Sequence, residues 1–236
     1  MNNLTDNNWL LTVGTFLPLF GALVIMFFTS KDDEQTPKII GIATAGVTLV
    51  IGIITLVQFD YDRAETLQFF VDEEWISVIS SNYTIGLDGL SLPLYFLSMV
   101  VTFLVMIYTW DNMPDAGNPK AFYALMLILQ TGMAGSFIAQ DLILFFVFFE
   151  VVLLPMYFMI GVWGGEDRQY AAIKFFLFTL MGSALMILSF LALFFLSKDP
   201  VTGEALRTFD MRALSEVAGG GIVKSTQLWI FGGMFM

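Results

Sequence analysis

A single carboxylate lies in the most apolar segment of the sequence. Residues 142–163 read LILFFVFFEVVLLPMYFMIGVW, and Glu150 carries the only charge in this run. At helical rise the run spans roughly 33 Å, enough to cross a bilayer core, and Glu150 then lies about 12 Å from Leu142. An ionised carboxylate at that depth costs at least ~2.5 kcal/mol on insertion scales, so such groups usually face a partner or water. Either Glu150 transfers protons or ions, or a hydrogen-bonded Glu150 only holds helices together.

Three neighbouring residues could support chemistry at Glu150. Gln130 lies in the preceding apolar run, and counting from the turn at 140–141 puts it at nearly the height of Glu150. Its amide could donate a hydrogen bond to Glu150, or bond to a helix backbone elsewhere. Pro155 cannot donate to the carbonyl four residues before it, which leaves an acceptor near Glu150 that could hold water. Tyr157 falls on the same helix face as Glu150.

Lys174 is the second charged residue inside an apolar run. It lies only about 4.5 Å past Ala171, where that run begins. The heights of Lys174 and Glu150 differ by roughly 15 Å, which is too far for a direct ion pair. Lys174 therefore takes part in proton transfer through water or gates proton entry, or it only extends its ammonium group to the membrane surface.

The elements that must position these residues are membrane-spanning helices. Hydrophobic residues make up 57% of the sequence and charged residues 13%, with a mean hydropathy of +0.79. We predict a single all-α polytopic membrane domain over residues 1–236, with six full transmembrane helices and the start of a seventh. The predicted spans are residues 9–29, 39–59, 92–110, 121–139, 142–163 and 171–196, followed by 227–236. Because the last run stops without a cap or turn signal, we expect the intact protein to continue.

The composition excludes several kinds of chemistry within this chain. Cysteine and histidine are both absent. The chain therefore lacks the ligands for thiolate-held iron–sulfur clusters and for histidine-ligated haem, and it cannot form disulfides. We expect no cofactor or metal in this chain. The net charge of −11 argues against nucleic acid as a partner.

The loops carry weaker signals. Residues 75–87 alternate around a Ser-Ser-Asn turn, which predicts a short β-hairpin in the loop between the second and third helices. The acidic residues of this loop are either a proton-collecting surface or a solvated face. Residues 208–216 could form a short interfacial helix. The loops after the first, third and fifth helices carry the basic residues Lys31, Lys38, Lys120 and Arg168, whereas the loop after the second helix carries Arg63. Because basic residues are enriched in cytoplasmic loops, this excess predicts an N-terminus outside the cell.

Two motifs resemble those of a known family. The string GLDGLSLP at 86–93 and the string DLILFFVFFEVVLLPMYFMIGVWG at 141–164 are similar to the antiporter-like subunits of respiratory complex I. The continuation Glu-x-x-x-x-Pro-Met-Tyr resembles subunit M, the counterpart of chain 4. The AAIKFF string at 171–176 and the TFDM string at 208–211 also fit subunit M.

The resemblance implies an N-terminal portion of a fourteen-helix subunit that contains two inverted repeats, of which the first lies here. Glu150 and Lys174 would match the family's span-five glutamate and span-six lysine, and a further lysine is expected beyond Met236. Partners would be the other membrane-arm subunits and the lipid bilayer of a bacterial inner membrane. NADH, flavin, iron–sulfur clusters and quinone would be bound by partner subunits, and this chain would be a non-redox proton-pumping subunit of a translocase.

Three functions remain open from the sequence. The chain could be a proton-translocating subunit of NADH:quinone oxidoreductase, which the motifs favour most. It could instead belong to a sodium (cation)/proton antiporter, because the same intramembrane carboxylate chemistry would serve both. In the third, the chain is a structural scaffold in which Glu150 only bonds helices together.

Overall fold

Six long helices make up most of the protein. A computed structural model describes residues 9–30, 33–114, 117–199, 201–217 and 222–235; Lys31 and Met236 lie outside this set. The helices are α1 (Trp9–Phe28), α2 (Gln35–Gln58), α3 (Ser91–Asp111), α4 (Pro119–Ile138), α5 (Leu142–Trp163), α6 (Arg168–Leu196), the short α7 (Met211–Val217) and α8 (Lys224–Met234). Strands β1 (Gln68–Ile76) and β2 (Ser81–Leu87) separate α2 from α3.

The predicted helical membrane fold is confirmed. Within the described residues, α1 to α6 are each long and apolar enough to cross a membrane. Helix α2 begins before its apolar run because the Asp33 carboxylate accepts hydrogen bonds from the backbone N–H groups of Gln35 and Thr36. Helix α6 begins at Arg168, before the predicted start at Ala171, because polar residues extend the helix beyond its apolar part. Hydrophobicity locates a span, but it does not fix the ends of the helix.

Small residues let the first four helices pack closely. Gly14 of α1 lies against the Tyr95 hydroxyl of α3, and Gly41 of α2 lies against the Tyr123 ring of α4. At the end of the bundle away from β1 and β2, the Lys120 ammonium group donates to the Thr29 carbonyl at 2.6 Å. Without a hydrophobic driving force between helices in lipid, such close contacts and buried hydrogen bonds supply the association energy.

The hairpin between α2 and α3 forms as predicted, but its first strand starts earlier. Strand β1 begins at Gln68 and pairs antiparallel with β2, with Asp72 opposite Thr84 and Glu74 opposite Asn82. Three of the acidic residues predicted to lie in a loop, Asp72, Glu73 and Glu74, therefore lie within β1. The turn passes through Ser80, which adopts a left-handed conformation with φ of 53°. We call the end of the bundle that carries β1 and β2 the hairpin end.

A third extended segment continues the hairpin across the bundle. Ala139 pairs with Ile85 of β2, and Asp141 pairs with Asp210 before α7. The turn between α4 and α5 is thus held between the hairpin and the segment that leads into α7. Helix α7 begins at Met211, three residues after the predicted start of a short helix at Thr208. These pairings fix the heights of α4 and α5 relative to each other.

Candidate functional site

Glu150 lies near the middle of α5, about 12 Å from the start of the helix at Leu142. The side chain is half-buried, and its Oε1 atom is buried without a hydrogen-bond partner among the described residues. Glu150 therefore lies at mid-span of a helix that is long and apolar enough to cross a membrane. A carboxylate oxygen left unpaired at this depth is costly, so it requires water, a proton or another polar group.

Helix α5 directs Glu150 towards α6. The Tyr157 ring contacts the Phe176 ring of α6 at 5.3 Å between centroids, and Phe145 contacts Phe190 at 6.5 Å. Along the helix Glu150 lies between these two contacts. Around the axis it falls within about 20° of Tyr157 and of Gly161, which lies against Ala172 of α6, whereas Phe145 is about 140° away. The predicted shared face of Glu150 and Tyr157 is therefore the face that meets α6.

Ser183 of α6 lies opposite Glu150 by residue register. The helices are antiparallel, and Ser183 and Glu150 are each about 10 Å towards the hairpin end from the contact between Tyr157 and Phe176. Ser183 is buried and falls within about 20° of Phe176 around α6. Its hydroxyl donates to the Leu180 carbonyl at 3.2 Å, which leaves its oxygen free to accept. The sequence did not identify Ser183, because a serine in an apolar run does not show which residue of a neighbouring helix lies opposite it.

Gln130 does not support Glu150. Gly132 and Gly135 form the side of α4 that meets α5, since a Cβ at Gly132 would lie 2.7 Å from Val152 and one at Gly135 would overlap the Phe148 ring. Gln130 falls roughly 140–160° away from both glycines around α4.

The carboxylate points away from the same interface. Glu150 lies about 160° around α5 from Phe148 and Val152, the residues that α4 contacts. Both amide atoms of Gln130 are without a partner among the described residues. The direct hydrogen bond between Gln130 and Glu150 that the sequence left open is therefore not formed.

Pro155 lies on another side of α5 from Glu150. It is buried, about 140° around the axis from Glu150, and lines a cleft between α1, α4 and α5 with a volume of about 810 Å³. Apolar side chains line most of this cleft, with Glu73 and Glu74 at its hairpin end. The carbonyl that Pro155 leaves without a helical donor is thus on the cleft side of α5.

Lys174 is exposed and faces away from α5. It lies about 160° around α6 from Ala172 and Phe176, which contact α5, and within about 20° of Leu185. The Leu185 carbonyl lies close to Gly233 of α8, so Lys174 is on the side of α6 that meets α8 farther along. The Lys174 ammonium group lies 5.8 Å from the centre of the Tyr170 ring. This contact points the ammonium group towards the end of α6 nearest Arg168.

Asp141 is a buried carboxylate whose role the sequence analysis did not assign. It is 1% exposed and accepts hydrogen bonds from the backbone N–H groups of Ile143 and Leu144 at 2.9 and 3.1 Å. The Ser81 hydroxyl also donates to it at 2.9 Å. Asp141 therefore caps α5 and ties it to β2. An aspartate directly before the first apolar residue of a span is the signal that could have identified this cap.

The GLDGLSLP motif builds the junction between the hairpin and α3. The Asp88 carboxylate accepts from the N–H groups of Leu90 and Ser91 at 3.1 and 2.7 Å. Burial acts to raise the pKa of Asp88, but the hydrogen bonds from Ser91 and Leu90 outweigh it and hold the pKa below its usual range. Gly89 donates its N–H to the Ala64 carbonyl at 2.8 Å. This motif thus has a structural role at the start of α3.

The second part of the chain matches the model of a family of transmembrane proteins. Residues 139–236 match the model of the family described as NADH:quinone oxidoreductase/Mrp antiporter, transmembrane. They contain Glu150, Ser183 and Lys174.

Curated relatives extend the similarity to most of the chain. NAD(P)H-quinone oxidoreductase chain 4 1 of a Picosynechococcus species is 38% identical over 209 residues, which is 87% of this chain and 36% of the relative. Subunit M of the F(420)H(2) dehydrogenase of Methanosarcina mazei is 34% identical over 199 residues, 84% of this chain and 38% of the relative. The resemblance to subunit M and chain 4 is confirmed. The chain spans about two fifths of the length of these relatives.

A solved structure confirms the antiporter-like fold. Respiratory complex I from Thermus thermophilus with bound NADH contains a chain that superposes with a TM-score of 0.76 at 23% sequence identity. The match covers 94% of this chain and 42% of that one. At this identity the similarity establishes the fold, and the roles of individual residues rest on the geometry above.

Proposed function

We propose that this chain is part of a proton-translocating membrane-arm subunit of a respiratory quinone oxidoreductase. The observation that carries the proposal is Glu150, a carboxylate at mid-span whose Oε1 atom is buried and unpaired within the described residues. Intramembrane carboxylates of this kind mark ion pathways. The antiporter-like fold and the family match supply the context in which such a group moves protons.

The path that we propose runs between α5 and α6. Tyr157 and Ser183 flank Glu150 on this side, and both carry hydroxyl groups that donate and accept hydrogen bonds. Water between these groups would let Glu150 take up and release a proton without leaving its helix. Lys174 lies on another face of α6, so we assign it to the exit or entry of protons on the α8 side.

Electron transfer would take place in other subunits. The names of the relatives contain the electron donors NAD(P)H and F(420)H(2). The electron donor of the proposed complex would therefore be a reduced nicotinamide or deazaflavin, and the electron acceptor would be a quinone-type compound. NADH or its counterpart, flavin, iron–sulfur clusters and quinone would be bound by partner subunits. This chain would contribute proton movement alone.

A second function is favoured by the family description, which includes Mrp antiporters. In that case Glu150 would exchange protons for sodium or another cation, with no redox partner. Purification of the tagged protein from its native membranes in mild detergent separates the two. The proposal predicts that donor-oxidising subunits co-purify and that vesicles acidify on addition of the donor. Cation/proton exchange by a complex without redox subunits would contradict it.

We further propose that the N-terminus and the hairpin end lie outside a bacterial inner membrane. The chain has no cysteine, so single cysteines report on one position each. Val78 in the hairpin turn is 93% exposed, and Asp167 is exposed at the opposite end. A cysteine at Val78 should react with an impermeant thiol reagent in spheroplasts, while one at Asp167 should react only after permeabilisation. The reverse pattern would overturn this orientation.

A further inference from the structure

Gln130 is a fully buried amide side chain of α4. It is 0% exposed and lies eight residues from the end of α4 at Ile138 and eleven from its start at Pro119, close to mid-span. Neither its nitrogen nor its oxygen has a hydrogen-bond partner among the described residues. An amide offers two donors and an acceptor with two lone pairs, and burying these unpaired costs several kcal/mol in a membrane interior.

Gln130 faces the interior of the bundle formed by α1 to α4. It shares its side of α4 with Ala134 and Leu127, which are both fully buried. Ala134 packs in one apolar cluster with Tyr95 of α3 and Leu11 of α1. The amide is therefore directed towards α1 and α3, on the side of α4 away from Glu150.

Two further buried hydroxyls lie in the same region. The Thr15 hydroxyl of α1 and the Tyr95 hydroxyl of α3 are both fully buried and adjacent, but neither forms a hydrogen bond of good geometry. The Tyr95 hydroxyl lies against Gly14 of α1. Pro18 has no N–H to donate to the Gly14 carbonyl, which leaves another acceptor at this place.

The heights of these groups allow one or two water molecules between them. The Tyr123 hydroxyl of α4 donates to the Met106 carbonyl of α3 at 3.0 Å, which aligns the two antiparallel helices. Counted from this contact, the Cα atoms of Gln130 and Tyr95 differ in height by roughly 6 Å. No direct hydrogen bond joins Gln130 to Tyr95 or Thr15 among the described residues, and one or two bridging waters would satisfy groups placed at neighbouring heights.

We propose that the interior of the α1–α4 bundle contains a buried water-binding site between Gln130 and the Thr15–Tyr95 pair. The site is separate from the α5–α6 side that holds Glu150, and it does not depend on the function proposed above. Water is the ligand that fits, because the groups around the site include both donors and acceptors and carry no charge.

A density map of the purified complex, at a resolution where ordered water is visible, tests the site directly. We expect non-protein density within hydrogen-bond distance of the Gln130 amide in the wild type. This density should be lost in Gln130→Met and kept in Ser136→Ala, because the Ser136 hydroxyl is bonded to the Gly132 carbonyl of its own helix. Gln130 bonded only to protein atoms, or density that persists in Gln130→Met, would overturn the proposal.

A double-mutant cycle in the thermal midpoint of the same complex gives a second test. Gln130→Met and Thr15→Val each remove one group from the shared water with little change in volume. Groups that share a partner are energetically coupled, whereas distant independent groups are additive. The change in thermal midpoint of the Gln130→Met/Thr15→Val double variant should therefore differ from the sum of the two single-variant changes. The changes for Gln130→Met and Ser136→Ala should instead be additive. Additive shifts for Gln130 and Thr15 would contradict a shared water.

Discussion

Gln130 and Glu150 lie at similar heights on neighbouring helices, yet their side chains point to opposite sides of the α4–α5 pair. The contacts of Gly132 and Gly135 with Val152 and Phe148 define the surface between the two helices. Gln130 and Glu150 are each directed about 140–160° away from that surface. The two polar groups therefore serve separate environments, one inside the α1–α4 bundle and one between α5 and α6.

The close approach of α4 and α5 should make Gly132 intolerant of a side chain. A Cβ at Gly132 would lie 2.7 Å from Val152 Cγ2 and 3.1 Å from the Phe148 carbonyl oxygen. We expect Gly132→Ala to destabilise the complex by about 1–3 kcal/mol through overpacking. Gly165→Ala is the matched control because a Cβ there meets nothing within 4 Å. The measurement is the thermal midpoint in detergent, and equal midpoints for the two variants would refute the packing argument.

Asp141 should contribute to stability through its cap. Asp141→Ala removes the acceptor for Ile143, Leu144 and Ser81, and loss of such a cap costs about 0.5–2 kcal/mol. Asp167 precedes α6 in the same way but makes no capping hydrogen bond from its side chain. Thermal unfolding of the complex should therefore shift to lower temperature for Asp141→Ala and remain within error for Asp167→Ala. A similar shift for both would show that the Asp141 contacts contribute little.

Ser183 should affect the proton transfer that we assign to Glu150. Ser183→Ala removes the hydroxyl that lies at the height of Glu150 on the facing side of α6, and we expect proton uptake to slow severalfold with assembly unchanged. Ser189→Ala is the control, since Ser189 is also a buried serine of α6 but lies on the side towards α8. Donor-driven proton uptake in vesicles measures both. If Ser183→Ala pumps as fast as Ser189→Ala, the α5–α6 path is wrong.

The sequence predicted the helices and the depth of Glu150 because both follow from the spacing of apolar residues. Length and hydropathy locate a span and the height of a residue within it. They do not give the direction of a side chain, which depends on the surface that a neighbouring helix contacts. Height alone placed Gln130 near Glu150 and left its bonding partner open, although the small residues Gly132 and Gly135 indicate which side of α4 packs most closely.

Other features required the three-dimensional register. Ser183 became part of the candidate site only through the contacts of Tyr157 with Phe176 and of Phe145 with Phe190, which align α5 with α6. The first strand of the hairpin was placed too late because acidic residues are uncommon in strands. In β1 the Asp72 carboxylate accepts hydrogen bonds from Asn82 and Thr84, which compensates for that low propensity.

The central claim is that Glu150 transfers protons and does more than hold helices together. Glu150→Gln keeps the size and hydrogen bonding of the side chain but cannot ionise. The direct measurement is donor-driven proton uptake by vesicles that contain the assembled complex, with assembly checked on native gels. The account predicts that the Gln variant assembles but that proton uptake falls at least tenfold, while Glu150→Asp retains part of the rate. A Gln variant that assembles and takes up protons at the wild-type rate would contradict it.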